Sequence, residues 1–141
     1  MDEKKIHIDK IVDEIIEEFN YFDDWEDKYF HIIEMGRNLP HMDDKLKNEE
    51  TRLKGCQSTV YFYSKLNDDK KIIFLASSDA AIVQGLIALL LRVYNQRTKR
   101  EILETSTDFI KDIGLNEHLS VTRKNGLSSM INAIKSFAQI A

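Results

Sequence analysis

Residues 59–77 read TVYFYSKLNDDKKIIFLAS and contain two extended runs around a polar turn. TVYFYSK and IIFLAS are rich in the β-branched and aromatic residues that are common in strands, and LNDDKK between them has the composition of a turn. The pattern therefore predicts a β-hairpin. Residues 51–54, just before the glycine that precedes the chain's one cysteine, are expected to add a third strand.

Two amphipathic helices are predicted before the hairpin. Apolar residues recur at helical spacing from Ile8 to Phe22, which indicates a first helix with one buried face. Asp23 or Asp24 is expected to cap a second helix, and Gly36 marks its expected end.

The chain after the hairpin is predicted to be helical. Ser78 or Asp79 is expected to cap a very apolar, buried helix that begins at Ala80. Thr98 and Glu101 have the spacing of a capping box and open a short helix. A last helix contains Leu127, Met130, Ile131, Ile134 and Phe137 at helical spacing. The order of helices, then strands, then helices predicts an α+β fold, with a small antiparallel sheet of about three strands packed against several α-helices.

The composition limits the class of protein. Hydrophobic content of 43% and charged content of 31% are ordinary for a soluble globular protein, and 141 residues without repeats or linkers predict a single domain, 1–141. The net charge of −4 and the lack of a basic run argue against nucleic-acid binding. The longest apolar run, residues 80–91, is too short to cross a membrane, and the acidic N-terminus resembles no targeting peptide. A cytoplasmic protein without membrane contact is expected.

The single cysteine, Cys56, lies in the polar stretch KGCQS. Gly55 allows backbone angles that present the next side chain at a loop tip. Arg52 and Lys54 are close enough in sequence to favour the thiolate, which is the reactive form. The residue pattern alone leaves a working thiol and an inert thiol both open.

Several kinds of cysteine chemistry can be weighed from the sequence. A cysteine hydrolase needs a histidine base, but His7, His31, His41 and His118 stand in no recognisable signature. A metal site would need at least two more ligands, and the spacing around Cys56 offers none. A redox dithiol is excluded because there is no second cysteine. A persulfide carrier benefits from that absence, since a neighbouring thiolate would discharge the sulfur.

Five short motifs occur in a fixed order along the chain. They are DWEDKY at 24–29, MGRNLP at 35–40, KGCQS at 54–58, SSDAAIVQGL at 77–86 and LSVTRKNGL at 119–127. Together they resemble the SufE family of sulfur-acceptor proteins, which implies a compact α+β fold of the SufE/IscU type. The sequence departs from the family pattern at Tyr61, where tryptophan is usual, at Val121, where proline is usual, and at Gln96, where glycine is frequent. Asn95 is therefore expected to tolerate the left-handed conformation at that helix end.

The resemblance implies a sulfur carrier that acts with other proteins and is not a standalone enzyme. The implied partners are a SufS-type cysteine desulfurase, which the protein stimulates by accepting its persulfide sulfur, and the Suf scaffold complex that receives this sulfur for iron–sulfur cluster assembly. The Suf branch and the CsdE-like branch of the family are not distinguished, and a weak homodimer is left open. No cofactor and no metal are expected.

The family's acceptor cysteine falls on Cys56. Further loop or partner-binding residues are expected near it, and two of them are placed in a polar loop before the last helix. These residues are Lys54, Gly55, Gln57 and Ser58 around the cysteine, and Arg123 and Asn125 in the later loop. Two alternatives remain: an iron–sulfur scaffold on the same general fold, which needs about three cysteines, and a structural adaptor with an inert thiol.

Overall fold

The computed structural model describes residues 3–141, with side chains from His7 onward. Within this range the chain forms six α-helices and one three-stranded antiparallel sheet, which confirms the predicted α+β fold class. In chain order the elements are α1 (Glu3–Tyr21), α2 (Trp25–Arg37), β1 (Val60–Leu66), β2 (Lys71–Ser78), α3 (Ala81–Tyr94), β3 (Arg97–Thr98), α4 (Lys99–Glu104), α5 (Asp108–Asp112) and α6 (Val121–Ile140). Short 3-10 helices cover Asp44–Leu46 and Leu115–His118.

The predicted hairpin is formed by β1 and β2. The two strands pair antiparallel, with Val60 opposite Ser78 and Leu66 opposite Ile72. The side chain of Asn67 closes the turn, because its Oδ1 accepts hydrogen bonds from the backbone N–H groups of Asp69 and Lys71. Alternate residues of both strands are buried, so one face of the sheet packs against the helices.

The third strand is not the one expected from the sequence. The sheet order is β1–β2–β3, so the third strand follows α3 and pairs with the start of β2. Residues 51–54 form no strand, and Arg52 makes only an isolated bridge with Tyr61. The prediction was wrong because a two-residue strand such as β3 has no periodicity to read. The segment before Gly55 is joined to β1 by two backbone hydrogen bonds, at Thr51 and at Leu53.

Helices α2 and α3 cross at two glycines. A Cβ atom on Gly36 would lie 2.6 Å from the backbone nitrogen of Gly85, and one on Gly85 would lie 2.3 Å from the carbonyl oxygen of Ile32. Any side chain at either position would therefore separate the helices. The sequence had suggested that Gly36 ends α2, but Gly36 lies inside the helix, which continues to Arg37. Its role is close packing.

Several predicted helix ends are confirmed and others are corrected. Asp24 caps α2 by accepting from the N–H of Asp27, and the capping box that opens α4 is present. At α3 the N-cap is Ala80, without a side-chain cap, so the predicted cap at Ser78 or Asp79 is wrong. The Ser78 hydroxyl instead accepts from the N–H of Ala80 just outside the helix.

The end of α3 also differs from the expectation. Asn95 has an extended backbone with φ of −75°, and it is Gln96 that takes the left-handed conformation with φ of 59°. The Asn95 side chain instead accepts a hydrogen bond from the N–H of Phe74 on β2, at 2.8 Å. This amide ties the helix end to the sheet, which is a reason for the polar residue at 95.

A polar cluster joins α1, α2 and α3. The carboxylate of Glu18 accepts two hydrogen bonds from the guanidinium of Arg92, at 2.6 and 2.7 Å, and its Oε2 lies 3.1 Å from Nε2 of His31. The Arg92 guanidinium holds the pKa of Glu18 below its usual value, because it hydrogen-bonds the ionised carboxylate.

Among the helices that the structure describes, none is long and apolar enough to span a membrane.

Candidate functional site

Cys56 lies at the tip of a short loop that leads into β1. The base of this loop is closed by a hydrogen bond of 2.8 Å from the N–H of Leu53 to the carbonyl of Val60. At the tip, Gly55 has φ of +89°, a left-handed backbone conformation that side chains other than glycine rarely adopt. The predicted use of Gly55 for a sharp turn before the cysteine thus agrees with its conformation.

The thiol of Cys56 is half-buried against helix α6. Its Sγ atom lies 3.9 Å from the carbonyl oxygen of Gly126, within reach of a weak S–H hydrogen bond. Burial raises the pKa of the Cys56 thiol above its ordinary value. The side chains of Arg52 and Lys54 are exposed and do not offset this effect, so the expectation that they favour the thiolate is wrong for the loop in this position. The resting thiol is therefore neutral.

A small cavity of about 20 Å³ adjoins the thiol. This volume holds about one water-sized atom. Its apolar wall is made by four side chains from α3 and α6, which are Val83, Leu86, Leu127 and Met130. This apolar wall suits a polarizable sulfur atom, whereas the remaining lining residues of the cavity are mostly polar.

The structure brings some of the predicted site residues together. Gln57, Ser58 and Arg123 line this cavity beside Cys56. Lys54 and Gly55 face a more open groove on the other side of the loop, which Arg52 and Glu49 also line. The loop therefore lies between the small cavity with its apolar wall and a more open groove with charged residues, and Cys56 borders both.

The sequence had suggested that Arg123 and Asn125 lie in a loop, but the structure places them in a helix. Both lie in the first turns of α6, where the hydroxyl of Ser120 caps the helix by accepting from the N–H of Arg123. Both side chains are exposed, and Asn125 is not among the residues that line the cavity. The start of α6 was missed in the sequence because the segment before Leu127 is mostly polar, and apolar residues at helical spacing begin only there.

Sequence reasoning did not identify the residues that receive the loop. Gly126 offers the carbonyl to the thiol, and a Cβ atom there would sit 3.7 Å from Sγ. Val83, Leu86 and Met130 have the pattern of ordinary core residues, and nothing in that pattern shows that they border a thiol. The one available signal was the glycine inside an otherwise helical stretch, which often marks a close approach.

In the part of the chain with described side chains, no three His, Cys, Asp or Glu side chains lie close enough together to hold a metal ion.

Comparison with known proteins gives the family. The family model described as SufE, Fe-S metabolism associated domain, matches residues 13–138. The chain is 40% identical over 132 residues to an uncharacterized SufE-like protein of Rhizobium meliloti (strain 1021), covering 91% of this chain and 94% of that protein. It is 36% identical over 133 residues to an uncharacterized SufE-like protein of Rhizobium etli, covering 92% and 90%.

A solved structure shares the fold. The solution structure of a hypothetical protein from Thermus thermophilus superposes with a TM-score of 0.76 at 18% identity, covering 93% of this chain and 95% of that one. The motif order, the α+β architecture and the matched family model agree. The chain belongs to the SufE family, a family associated with iron–sulfur metabolism.

Proposed function

We propose that this protein is a sulfur acceptor and carrier for iron–sulfur cluster assembly, with Cys56 as the acceptor. In this proposal it binds a SufS-type cysteine desulfurase, takes the persulfide sulfur and delivers it to the Suf scaffold complex. The observation that carries the proposal is the placement of the chain's one thiol, half-buried on a glycine-led loop beside a one-atom apolar cavity. Membership in a family of iron–sulfur metabolism supports the same direction.

The transfer conserves electrons and needs no further reagent. The Cys56 thiolate attacks the outer sulfur of the desulfurase persulfide, and a new S–S bond forms on Cys56. The S–S bond of the desulfurase breaks, and its electron pair stays on the desulfurase cysteine, which is released as thiolate. Delivery repeats the exchange, with a recipient nucleophile attacking the outer sulfur and the Cys56 thiolate leaving.

The position of the thiol suits storage better than attack. In the closed loop burial favours the neutral thiol, and Sγ lies against α6 at the carbonyl of Gly126, so we expect it to leave this position to meet a partner's persulfide. Once sulfurated, the same pocket keeps free thiols away from the outer sulfur, and the cavity offers room for one added atom. Docking of the desulfurase supplies the opened, solvated state in which Cys56 ionises.

The other site residues take supporting roles in this proposal. Arg123 places a cation at the rim of the cavity, where it favours the persulfide anion, and Gln57 and Ser58 offer hydrogen bonds to it. Lys54 and Asn125 are exposed and contact the partner. We place all of these residues in a single SufE-like domain, 1–141, that acts in the cytoplasm.

Intact-protein mass spectrometry tests the acceptor. Wild type and Cys56→Ser are incubated with a SufS-type desulfurase and cysteine, each with and without reductant. A gain of one sulfur atom on wild type alone, removed by reductant, is the expected result. No gain on either protein, with a desulfurase shown to release sulfide, would contradict the proposal.

One observation favours a second candidate, a structural adaptor with an inert thiol. Burial raises the pKa of Cys56, and an inert thiol is expected to be held in that way. The two functions separate on desulfurase turnover: a carrier loses its stimulation in Cys56→Ser, whereas an adaptor retains it.

A further inference from the structure

The loop that carries Cys56 has few attachments to the rest of the molecule. In the described part of the chain, residues 54–58 make a single hydrogen bond, the weak one from Sγ of Cys56 to the carbonyl of Gly126. Segments with so few hydrogen bonds open at low free energy. What keeps this loop closed is therefore mainly its packing on α6.

The face of α6 under the loop carries two small residues one turn apart. Gly126 lies under Cys56, and Ser129 lies under Gly55. A Cβ atom on Gly55 would be only 2.7 Å from the Oγ of Ser129, closer than real Cβ atoms approach other atoms. The backbone of the loop thus rests on the serine hydroxyl, and it fits because residue 55 has no side chain.

We propose that Ser129 is a positioning residue for the Cys56 loop: its small side chain leaves room for Gly55 in the closed state, so the size of the side chain at 129 sets how often the thiol is exposed. The inference goes beyond the proposed function and does not require a desulfurase. In the closed state, the small side chain of Ser129 lies against Gly55. A larger side chain at 129 would occupy the space that Gly55 now fills and shift the loop outward.

Substitution of Ser129 by a graded series tests this role. The variants are Ser129→Ala, Ser129→Thr and Ser129→Ile, and the measurement is the rate of alkylation of Cys56 by iodoacetamide, read by intact mass. A β-branched side chain is stiff at χ1, so isoleucine cannot turn away as a serine hydroxyl can. When reclosing is fast, this rate follows the open population of the loop.

The expected rates rise with side-chain size. Ser129→Ile should react about tenfold faster than wild type or more, because overpacking disfavours the closed state. Ser129→Thr should lie between, and Ser129→Ala should stay within about twofold of wild type. The alkylation pH profile of Ser129→Ile should also move to lower pH, because an exposed thiol loses the desolvation that raises the Cys56 pKa. Global unfolding would also expose the thiol and move this profile, so each variant is first shown to be folded by circular dichroism.

Ser128→Ile is the matched control. Ser128 is the neighbouring residue on the same helix and is exposed, so its replacement changes the helix composition without touching the loop. Its alkylation rate should equal that of wild type. Equal acceleration in both isoleucine variants would show that Ser129 has no special role.

The threonine variant decides the test if the isoleucine variant does not fold. A rate for Ser129→Thr no faster than that of Ser129→Ala, with both proteins folded by circular dichroism, would overturn the proposal. Sulfur acceptance from a desulfurase is scored separately on the same proteins. Alkylation needs no partner protein. A protein that accepts no sulfur can therefore still show that the side chain at 129 controls exposure of Cys56, so the proposed function and the role of Ser129 can fail independently.

Discussion

The Sγ atom of Cys56 lies 3.9 Å from the carbonyl oxygen of Gly126, which is 70 residues later in the chain. The thiol therefore contacts the main chain of α6 directly. The space around the sulfur exists because Gly126 has no side chain. This relationship connects the loop, the helix and the cavity, and it makes the glycine the most informative residue to change.

Gly126→Ala should stabilise the protein and yet shorten the life of a persulfide. Alanine is favoured over glycine inside a helix by about 0.5–1 kcal/mol, and its Cβ would meet Sγ at an ordinary contact distance of 3.7 Å. The reduced thiol therefore still fits. An added sulfur atom would compete with the new methyl group for the cavity that Gly126 lines. The free energy of unfolding is measured in urea, and persulfide loss is followed by mass in the presence of glutathione.

The outcome that contradicts this prediction is a persulfide that survives equally long in both proteins. It would show that the outer sulfur does not enter the cavity. Wild type loaded in the same reaction is the reference, and Ser128→Ala, an exposed change on the same helix, controls for the substitution itself.

Gly85→Ala should have the opposite effect on stability, although it is also a glycine-to-alanine change inside a helix. The new Cβ would lie 2.3 Å from the carbonyl oxygen of Ile32, where α2 and α3 cross. Backbone atoms cannot move aside cheaply, so the loss should be about 3 kcal/mol or more. Urea denaturation of Gly85→Ala and Gly126→Ala, side by side, checks the contrast. If Gly85→Ala unfolds at the same urea concentration as wild type, the close crossing is wrong.

The Cys56 thiol should titrate above the ordinary thiol pKa of 9.0 in the folded protein. Burial is the cause. At a pH between the pKa of the unfolded chain and the higher pKa of the folded protein, Cys56 therefore keeps its proton in the folded state and has lost it in the unfolded state. The contribution to stability is present below the unfolded pKa and is lost as pH rises toward the folded pKa. Alkylation rates of native and urea-unfolded protein across pH measure the two midpoints.

Lys54→Gln separates burial from local charge. Lys54 is exposed, and burial alone accounts for the raised pKa, so this change should leave the native midpoint where it is. A native midpoint that rises in Lys54→Gln would instead show that the Lys54 cation favours the thiolate. That result would return support to the expectation drawn from the sequence.

The strongest periodic signals in the sequence predicted most of the fold. The hairpin, the helix at residues 81–94 and the capping box at Thr98 all follow from local patterns that the structure keeps. The errors lie where tertiary contacts decide. β3 has two residues and exists because α3 returns the chain to the edge of β2, and α6 starts six residues before its apolar repeat because Ser120 caps it.

The candidate site was predictable only in part. The isolated cysteine after a glycine pointed to a loop, and its motif pointed to a family. Gly126 could be read from the sequence as a point of close approach, but the sequence did not show that Cys56 would be its partner or that Ser129 would lie beneath Gly55, because both contacts join segments about 70 residues apart. The effect of Arg52 and Lys54 on the thiol was misjudged for a related reason: sequence distance says nothing of side-chain direction, and burial decides the pKa.

The ion pair between Glu18 and Arg92 should make stability depend on pH in the acid range. The pKa of Glu18 is lowered from 4.5, first by its hydrogen bond to Arg92, so the pair contributes its stability above that pH. As pH falls through the lower folded pKa, the carboxylate is protonated and the contribution is lost. Both side chains are about one-third exposed, so after screening by solvent we expect Glu18→Gln to cost about 1 kcal/mol at neutral pH.

Glu34→Gln is the matched control for this pair. Glu34 is bonded to Arg37 on the same helix, but both side chains are at least half exposed, so the loss should stay within about 0.5 kcal/mol. Free energies of unfolding are measured in urea at several pH values from neutral to acid. The curves of wild type and Glu18→Gln should converge as pH falls, because protonation removes in wild type what the substitution has already removed. Parallel curves would mean that the bidentate pair adds nothing that titrates, and that α1 is held to α3 by apolar packing alone.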